Sequence, residues 1–312
     1  MIKKLLIIFA SLIGVVVIGA GAYAYYLYDS VKDTAQQIHE PIDPDREATK
    51  PKPKVNKEDL EPISILLMGV DERPGDRGRS DTMIVITVNP KKESMYMFNI
   101  PRDTRTLIVG RGEQDKINHA YAFGGTKMAV ETVEHFLDIP LDYYIKVNMQ
   151  GFKDIVNAVG GVTVTNEFAF SDGGYSFEEG EIHLSSEEAL AYVRMRKKDP
   201  DGDLGRNERQ RQVIKAVIDK GASFSSITKF DDVLDVISEN VKTNMTFDEM
   251  KDIQAHYKGA RKTLKTFEVD ATPTNIDGIF YFLVPEEERN EITQKLKEHL
   301  GMETGSDQTT TN

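Results

Sequence analysis

The chain has 312 residues, a net charge of −12 with histidines neutral, and neither cysteine nor tryptophan. That length admits one large domain or two small ones. The acidity argues against a nucleic-acid partner, because binding phosphates needs clustered Lys and Arg, and the missing cysteines exclude a disulfide scaffold, a thiol nucleophile and thiolate metal sites.

Residues 1–4 include Lys3 and Lys4, and Leu5 to Tyr28 then carries no charge at all. A bilayer core needs roughly 20 apolar residues in a helix, more than the 7 to 15 of a cleavable signal peptide. Residues 5–28 are therefore predicted to be a transmembrane signal-anchor, although Ala20-Gly21-Ala22 and Ala22-Tyr23-Ala24 resemble cleavage sites. The lysines ahead of the run leave residues 1–4 cytoplasmic, and Tyr23, Tyr25, Tyr26 and Tyr28 sit where an aromatic belt meets the outer headgroups. The rest of the chain is then extracellular and tied to the cell membrane by a single pass. Residues 29–61, with prolines at 41, 44, 51 and 53 among many charges, predict a flexible linker. Residues 303–312, ending in a Thr run, predict a disordered tail.

Between them, residues 62–302 alternate apolar strand-like runs with helical patterns. This predicts an α/β fold: a three-layer α-β-α domain around a central mixed sheet. Ile63 to Val70, Met83 to Val88 and Met95 to Ile100 read as neighbouring strands separated by turn residues such as Asn89-Pro90. Ala129, Val130, Val133, Phe136 and Leu137 keep helical spacing after Thr126, and Ile155, Val156 and Val159 do so before Gly160-Gly161. Further strands are expected at Tyr143 to Val147 and Val162 to Val164. Ser185 and Glu188 form a capping-box pattern, and Val213, Ile214, Val217 and Ile218 form a helical stripe. A strand at Gly278 to Val284 precedes Pro285, which opens a last helix.

The chemistry is constrained first by what is missing. The chain has no Walker loop, no dinucleotide glycine fingerprint and no His-Glu-x-x-His pattern. Ser226-Ile-Thr-Lys229 matches a penicillin-binding pattern without its partner motifs and is read as chance. His119 and His135 read as packing or surface residues. Acids and arginines at the strand ends are more informative. Asp71 follows the first strand, Arg79 and Asp81 open the second, and Arg102 and Asp103 follow the third. If these strands are neighbours, Asp71 and Asp81 flank one loop, and converging carboxylates repel unless a cation lies between them. Such a pair suits Mg²⁺, which takes one or two carboxylates and shares phosphate oxygens. A second cluster holds Arg194, Arg196, Asp203, Arg206 and Gln210. Arg206 and Gln210, four apart, share one face near a helix start, where free N–H groups favour an anion. Arginine's planar fork suits bidentate phosphate contacts. Taken singly, these acids also fit solvated loops and the arginines fit surface ion pairs.

Leu67-Met-Gly-Val-Asp71, Gly78-Arg-Ser-Asp-Thr82, Ile100-Pro-Arg-Asp-Thr104, Lys116-Ile-Asn-His-Ala-Tyr121, Tyr192-Val-Arg-Met-Arg196 and Asp203-Leu-Gly-Arg-Asn-Glu-Arg-Gln210 occur together in this order. With this set the chain resembles the LytR-CpsA-Psr family. The resemblance implies a cell-wall phosphotransferase. Such an enzyme moves an anionic glycopolymer of wall teichoic acid type from an undecaprenyl-pyrophosphate carrier to the C6 hydroxyl of peptidoglycan N-acetylmuramic acid, forming a phosphodiester without ATP. It further implies that Asp71 and Asp81 hold Mg²⁺, or Mn²⁺ in its place. Arg79, Arg102, Arg194, Arg196, Arg206 and Gln210 would then bind the pyrophosphate, with Lys116 and Arg105 as lesser candidates. Asp103 and Asp203 would either orient arginines or accept the hydroxyl proton, which makes Arg102, Asp103 and Asp203 the candidate catalytic residues. An apolar channel for the polyprenyl tail is also implied, and the run Phe280 to Val284 is compatible with one. The charged stretch Glu72 to Arg77 between the two metal aspartates leaves the ligand number open. The same residues would also suit a polyprenyl-pyrophosphate hydrolase, or a non-catalytic protein that binds or regulates the envelope.

Overall fold

The structure, a computed structural model, describes residues 25–43, 46, 52–72, 77–221 and 237–303. Most of the predicted anchor, the loop residues Arg73 to Asp76, the Ser226–Lys229 pattern and the tail beyond residue 303 lie outside the described residues. Among the described residues, no helix is long and apolar enough to cross a membrane.

Helix α1 spans residues 25–38. The strands are β1 (Ile63–Val70), β2 (Ser80–Asn89), β3 (Ser94–Asn99), β4 (Arg105–Ile108) and β5 (Glu113–Lys116), then β6 (Tyr143–Asn148), β7 (Val162–Asn166), β8 (Phe170–Asp172), β9 (Tyr175–Phe177) and β10 (Gly180–Leu184). The remaining strands are β11 (Val241–Thr243), β12 (Thr263–Thr266), β13 (Thr272–Ile276) and β14 (Ile279–Leu283). The other helices are α2 (His119–Leu137), α3 (Met149–Ala158), α4 (Ser186–Arg194), α5 (Asp203–Gly221), α6 (Phe247–His256) and α7 (Glu286–Leu300), with a 3₁₀ turn at Lys258–Lys262.

Six strands make one mixed sheet in the order β11-β6-β1-β2-β3-β12. Strands β1, β2 and β3 run antiparallel, whereas β6 is parallel to β1 and β12 is parallel to β3. The period of two sorts β1 onto two faces. Leu66, Met68 and Val70 join Met83, Val85 and Phe98 under α2 and α7. Ile63, Ile65 and Leu67 join Ile84, Ile86 and Met97 on the opposite face, against Ile214 and Ile218 of α5 and Ile253 of α6. Both faces are buried, which is why these strands read as continuous apolar runs. The expected central mixed sheet between helices is present, and the first three strands are neighbours as the sequence predicts.

Three expectations need correction. Helix α2 begins at His119, ahead of Thr126, and accommodates Gly125 at φ 67° as a kink, which the apolar spacing alone does not reveal. Strands β7 and β14 exist but lie outside the main sheet, in two-stranded sheets with β10 and β13. The segment read as a linker is docked over much of its described length. Ile38 packs on Val147 and Val241, Ile42 joins the first core face and Val55 the second. Arg46 forks onto Glu134 at 2.7 and 2.8 Å. The average composition of residues 29–61 is polar, but a few well-spaced apolar side chains suffice to fasten it.

Candidate functional site

The strand ends build the site. Between Gly69↔Thr82 and Val70↔Ser80 the β1–β2 register shifts, leaving Asp81 as the extra residue of a bulge. A bulge re-aims a side chain at the rim of a sheet. The two ends of the connection between the strands are pinned together, the Asp71 N–H donating to the Arg79 carbonyl at 3.2 Å. Gly78 makes this possible: its φ is +67°, and a Cβ there would sit 2.0 Å from the Asp71 carbonyl oxygen.

After β3, Ile100 still donates to the Met83 carbonyl, and a turn then closes from Thr104 N–H to the Pro101 carbonyl at 2.9 Å. Arg102 and Asp103 occupy the middle of this turn. Their carbonyls accept from Asn118 N–H at 3.3 Å and Phe282 N–H at 2.9 Å, so the hairpin β13–β14 steadies the turn from outside. Arg102 donates to Asp81 at 3.0 Å and lies 3.6 Å from Asp103, which also holds Lys116 at 2.7 Å. Burial works against the Arg102 charge, but Asp81 and Asp103 outweigh it and raise the guanidinium above its ordinary value.

The second cluster arrives on α4 and α5. Arg194 is the last residue of α4, Met195 turns extended, and Arg196 reaches Asp203 at 3.8 Å. Arg206 pairs with Asp203 one helical turn earlier at 2.9 Å. Gln210, a further turn on, donates to Thr82 at 3.1 Å and accepts from Asn99 at 3.0 Å, which ties α5 to β2 and β3. Burial, together with Arg102 and Arg196, pushes the Arg206 guanidinium below its ordinary value in spite of Asp203. The buried Arg206 Nε has no hydrogen-bond partner among the described residues. Asp81, Asp103 and Asp203 pair with Arg102, Arg196 and Arg206, yet the mutual crowding of the guanidiniums and the unpartnered Arg206 Nε leave room for a further anion.

These groups share the mouth of one cavity of about 730 Å³, lined by Asp71, Asp81, Arg102, Arg194, Arg206 and Gln210 at this end. Its walls are apolar: Ile65 and Ile86 of the sheet, Phe152 of α3, Ile214 and Val217 of α5 and Ile253 of α6. Asp103 and Asp203 do not line it but hold the arginines that do. Arg79 is exposed and contributes its carbonyl to the loop, and neither it nor the exposed Arg196 lines the cavity. Lys116 and Arg105 stand behind the turn, over the Tyr281 ring. The run Phe280 to Val284 is not in the cavity wall, and Phe280 is exposed on its hairpin.

Sequence reasoning did not anticipate the brace under the arginines. Arg209 is buried, donates to the Tyr192 and Met195 carbonyls at 3.0 and 2.5 Å, and pairs with buried Asp199. It locks the end of α4 to α5. Gly205 leaves room for this pair, since a Cβ there would lie 2.1 Å from Asp199 Oδ2. The glycine inside a helical stretch was the available signal. Among the described residues, no group of three or more His, Asp or Glu could hold a metal, and Asp71 and Asp81 are the carboxylates lining this end of the cavity.

Known proteins resemble the chain in sequence and fold. The model of the LytR_cpsA_psr family matches residues 25–298. The chain is 55% identical over 298 residues to the polyisoprenyl-teichoic acid–peptidoglycan teichoic acid transferase TagU of Bacillus subtilis, covering 96% of each chain. The crystal structure of B. subtilis TagU superposes with a TM-score of 0.64 at 53% identity, over 78% of this chain and 99% of that one. TagT bound to LIIa-WTA gives a TM-score of 0.69 at 32% identity, over 82% and 98% of the two chains. The family match over residues 25–298 and the 55% identity across nearly the whole length agree with the six ordered motifs: the chain belongs to the LytR-CpsA-Psr family.

Proposed function

We propose that the chain is a phosphotransferase that takes an anionic glycopolymer of wall teichoic acid type from an undecaprenyl-pyrophosphate carrier and joins it to the C6 hydroxyl of peptidoglycan N-acetylmuramic acid. One observation carries this: an apolar cavity ends at a cluster of mutually crowded guanidiniums. A lipid tail fits the walls and a pyrophosphate fits the mouth. The names of the TagU relatives support the polymer and the acceptor.

Arg102, Arg194 and Arg206 bind the pyrophosphate, Arg196 and Arg79 contribute from the rim, and Gln210 positions the end of β2 through Thr82. The acceptor oxygen forms a bond to the polymer-bearing phosphorus as the bond to the bridging oxygen breaks. The acceptor proton is lost and polyprenyl phosphate leaves. Negative charge grows on the leaving phosphate, where cations fixed in advance by the fold are worth most. The pyrophosphate bond already carries the needed energy, so ATP is not required. Asp103 and Asp203, both engaged by cations, hold Arg102 and Arg206 in place. Asp71 and Asp81 suit Mg²⁺: two hard carboxylates beside a phosphate site match an ion that keeps several waters. When bound, the ion would neutralise charge on the phosphate oxygens. The uncharged run ahead of the body anchors it to the membrane with the site outside the cell.

The test incubates purified full-length chain with Mg²⁺ and lipid-linked polymer, with and without peptidoglycan oligomers. Polymer covalently attached to the glycan is the expected product. Release of free polymer phosphate alone, regardless of acceptor, would establish the hydrolase instead.

A further inference from the structure

The cavity has a second end, and its chemistry differs from the first. Strand β1 runs from Ile63 to Val70, both of which line the cavity, and eight residues at about 3.3 Å each separate its two ends by roughly 25 Å. The guanidinium mouth is at the Val70 end. At the Ile63 end the lining changes to Gln254, Tyr257, Lys258 and Arg261, where Gln254 and Lys258 are exposed and the cavity meets solvent. A pocket of about 730 Å³ is the size that holds a drug-sized ligand. An undecaprenyl tail is larger, so its distal units must leave through this second opening.

The opening is basic in an acidic chain. The 3₁₀ turn Lys258–Lys262 carries Lys258, Arg261 and Lys262 within five residues. Of the nearby acids, Glu93 pairs with Lys262, Asp219 with Lys215 and Asp248 with Lys251, Asp252 flanks Lys251, and Glu61 beside Tyr257 accepts from the Lys54 N–H. Lys258 and Arg261 have no acidic partner among the described residues. The same end of the sheet receives α1. Strand β11 pairs Thr243 with Ile145, near the start of β6, so the chain that follows leaves the sheet at the Ile63 end. There Phe247 meets Tyr28 edge-on at 5.4 Å. Tyr25, Tyr26 and Tyr28, at the end of α1 that faces the predicted anchor, are 70%, 49% and 49% exposed.

We propose that this second opening docks on an anionic bilayer surface through Lys258 and Arg261, so that the lipid tail passes directly between membrane and cavity. The inference rests on the lipid-carrier function proposed above. It adds an orientation: the sheet stands with its β1 start toward the membrane, and the pyrophosphate site is held about one strand length above it. Clustered Lys and Arg attract anionic headgroups, each by about 1 kcal/mol, or roughly fivefold in surface partition.

The absence of cysteine makes a direct test simple. Full-length chain carrying Thr263→Cys beside the basic turn, or Glu113→Cys on β5 near the other end, is labelled with bimane and reconstituted into vesicles containing headgroup-spin-labelled lipid. In phosphatidylglycerol-containing vesicles the label at 263 is quenched and the label at 113 is not. Adding Lys258→Glu and Arg261→Glu removes at least tenfold of the difference in quenching. In parallel, the ratio of transfer rate in phosphatidylglycerol vesicles to that in phosphatidylcholine vesicles falls toward one, each normalised to the same variant's rate in detergent micelles. Equal quenching at both positions, or an equal loss of rate in micelles and vesicles, overturns the docking and assigns the two residues to substrate instead. Absence of transfer by the wild type in micelles would count against the enzymatic function and leave the quenching result to decide the orientation.

Discussion

Replacing Arg209 with Met cuts the brace that joins α4 to α5. Arg209 and Asp199 are 5% and 9% exposed, so the substitution strands a carboxylate in a poorly solvated place and frees two buried carbonyls, those of Tyr192 and Met195. Breaking a buried pair by removing one partner costs about 3–5 kcal/mol. For a body of this size each kcal/mol lowers Tm by about 2–4 °C, so the melting temperature should drop by roughly 10 °C. The second variant, Arg209→Met with Asp199→Asn, keeps the acceptor for the Asp201 N–H at 2.7 Å but leaves no charge behind, and should recover more than half of the loss. Transfer measured well below both melting points should fall in the single variant, because Arg194 and Arg206 depend on the joint for their spacing. Thermal unfolding followed by circular dichroism reads the stability, and acceptor-dependent polymer attachment reads the activity. A single variant melting within about 2 °C of wild type would show that the pair is solvated in practice and refute the reasoning.

Arg102→Ala and Asp81→Ala should each lower transfer by about 100-fold or more, the scale on which one fixed charge-stabilising group acts, while thermal unfolding stays near wild type. Wild-type rates in either variant would remove the guanidinium mouth from the chemistry. Gly205→Ala should destabilise by about 1–3 kcal/mol, because its methyl displaces Asp199 from Arg209; unchanged melting would show that the helix shifts freely. Chelating divalent ions should weaken binding of a polyprenyl pyrophosphate measured by calorimetry, and Asp71→Asn should remove that dependence on metal. Buried His299 hydrogen-bonds Thr87 and Ser94, and burial followed by Lys92 and Lys265 pushes its pKa down to about 4. A depressed folded-state value stabilises the fold above the unfolded value near 6.5 and is lost as pH falls toward 4, a swing of about 3 kcal/mol. Burial drives Asp142 the other way, up to about 6, so the readout is the difference in denaturant midpoint between wild type and His299→Gln across that pH window. A difference that does not vary with pH would contradict this assignment.

Much of the site was legible because its parts sit at strand ends and a helix start, where composition departs from the apolar runs beside them. Asp71, Asp81 and Arg102 follow from three consecutive antiparallel strands, a local pattern. The convergence of Arg194 and Arg206 on the same mouth is a long-range fact that the ordered motifs carried and the spacing did not. Arg79 lies exposed at the rim, two residues before the bulge at Asp81 and outside the cavity lining. The docking of residues 29–61 was hidden because Ile38, Ile42 and Val55 are too sparse to form a pattern. The strands of the β7–β10 and β13–β14 pairs look like core strands in sequence, since period two does not say which sheet a strand joins.

The roof over the cavity also bears on how the chain matures. Strands β1 to β3 come from one short stretch, yet α5 and α6, which cover their apolar face, belong to the later half of the chain, as do the outermost strands β11 and β12. His39 closes onto Met245 across 206 positions at 3.1 Å. A chain emerging from its amino end therefore presents a bare oily slab until those late segments arrive, an interval in which self-association competes with completion. Truncation from the carboxyl side should yield insoluble product well before it reaches any residue of the arginine mouth.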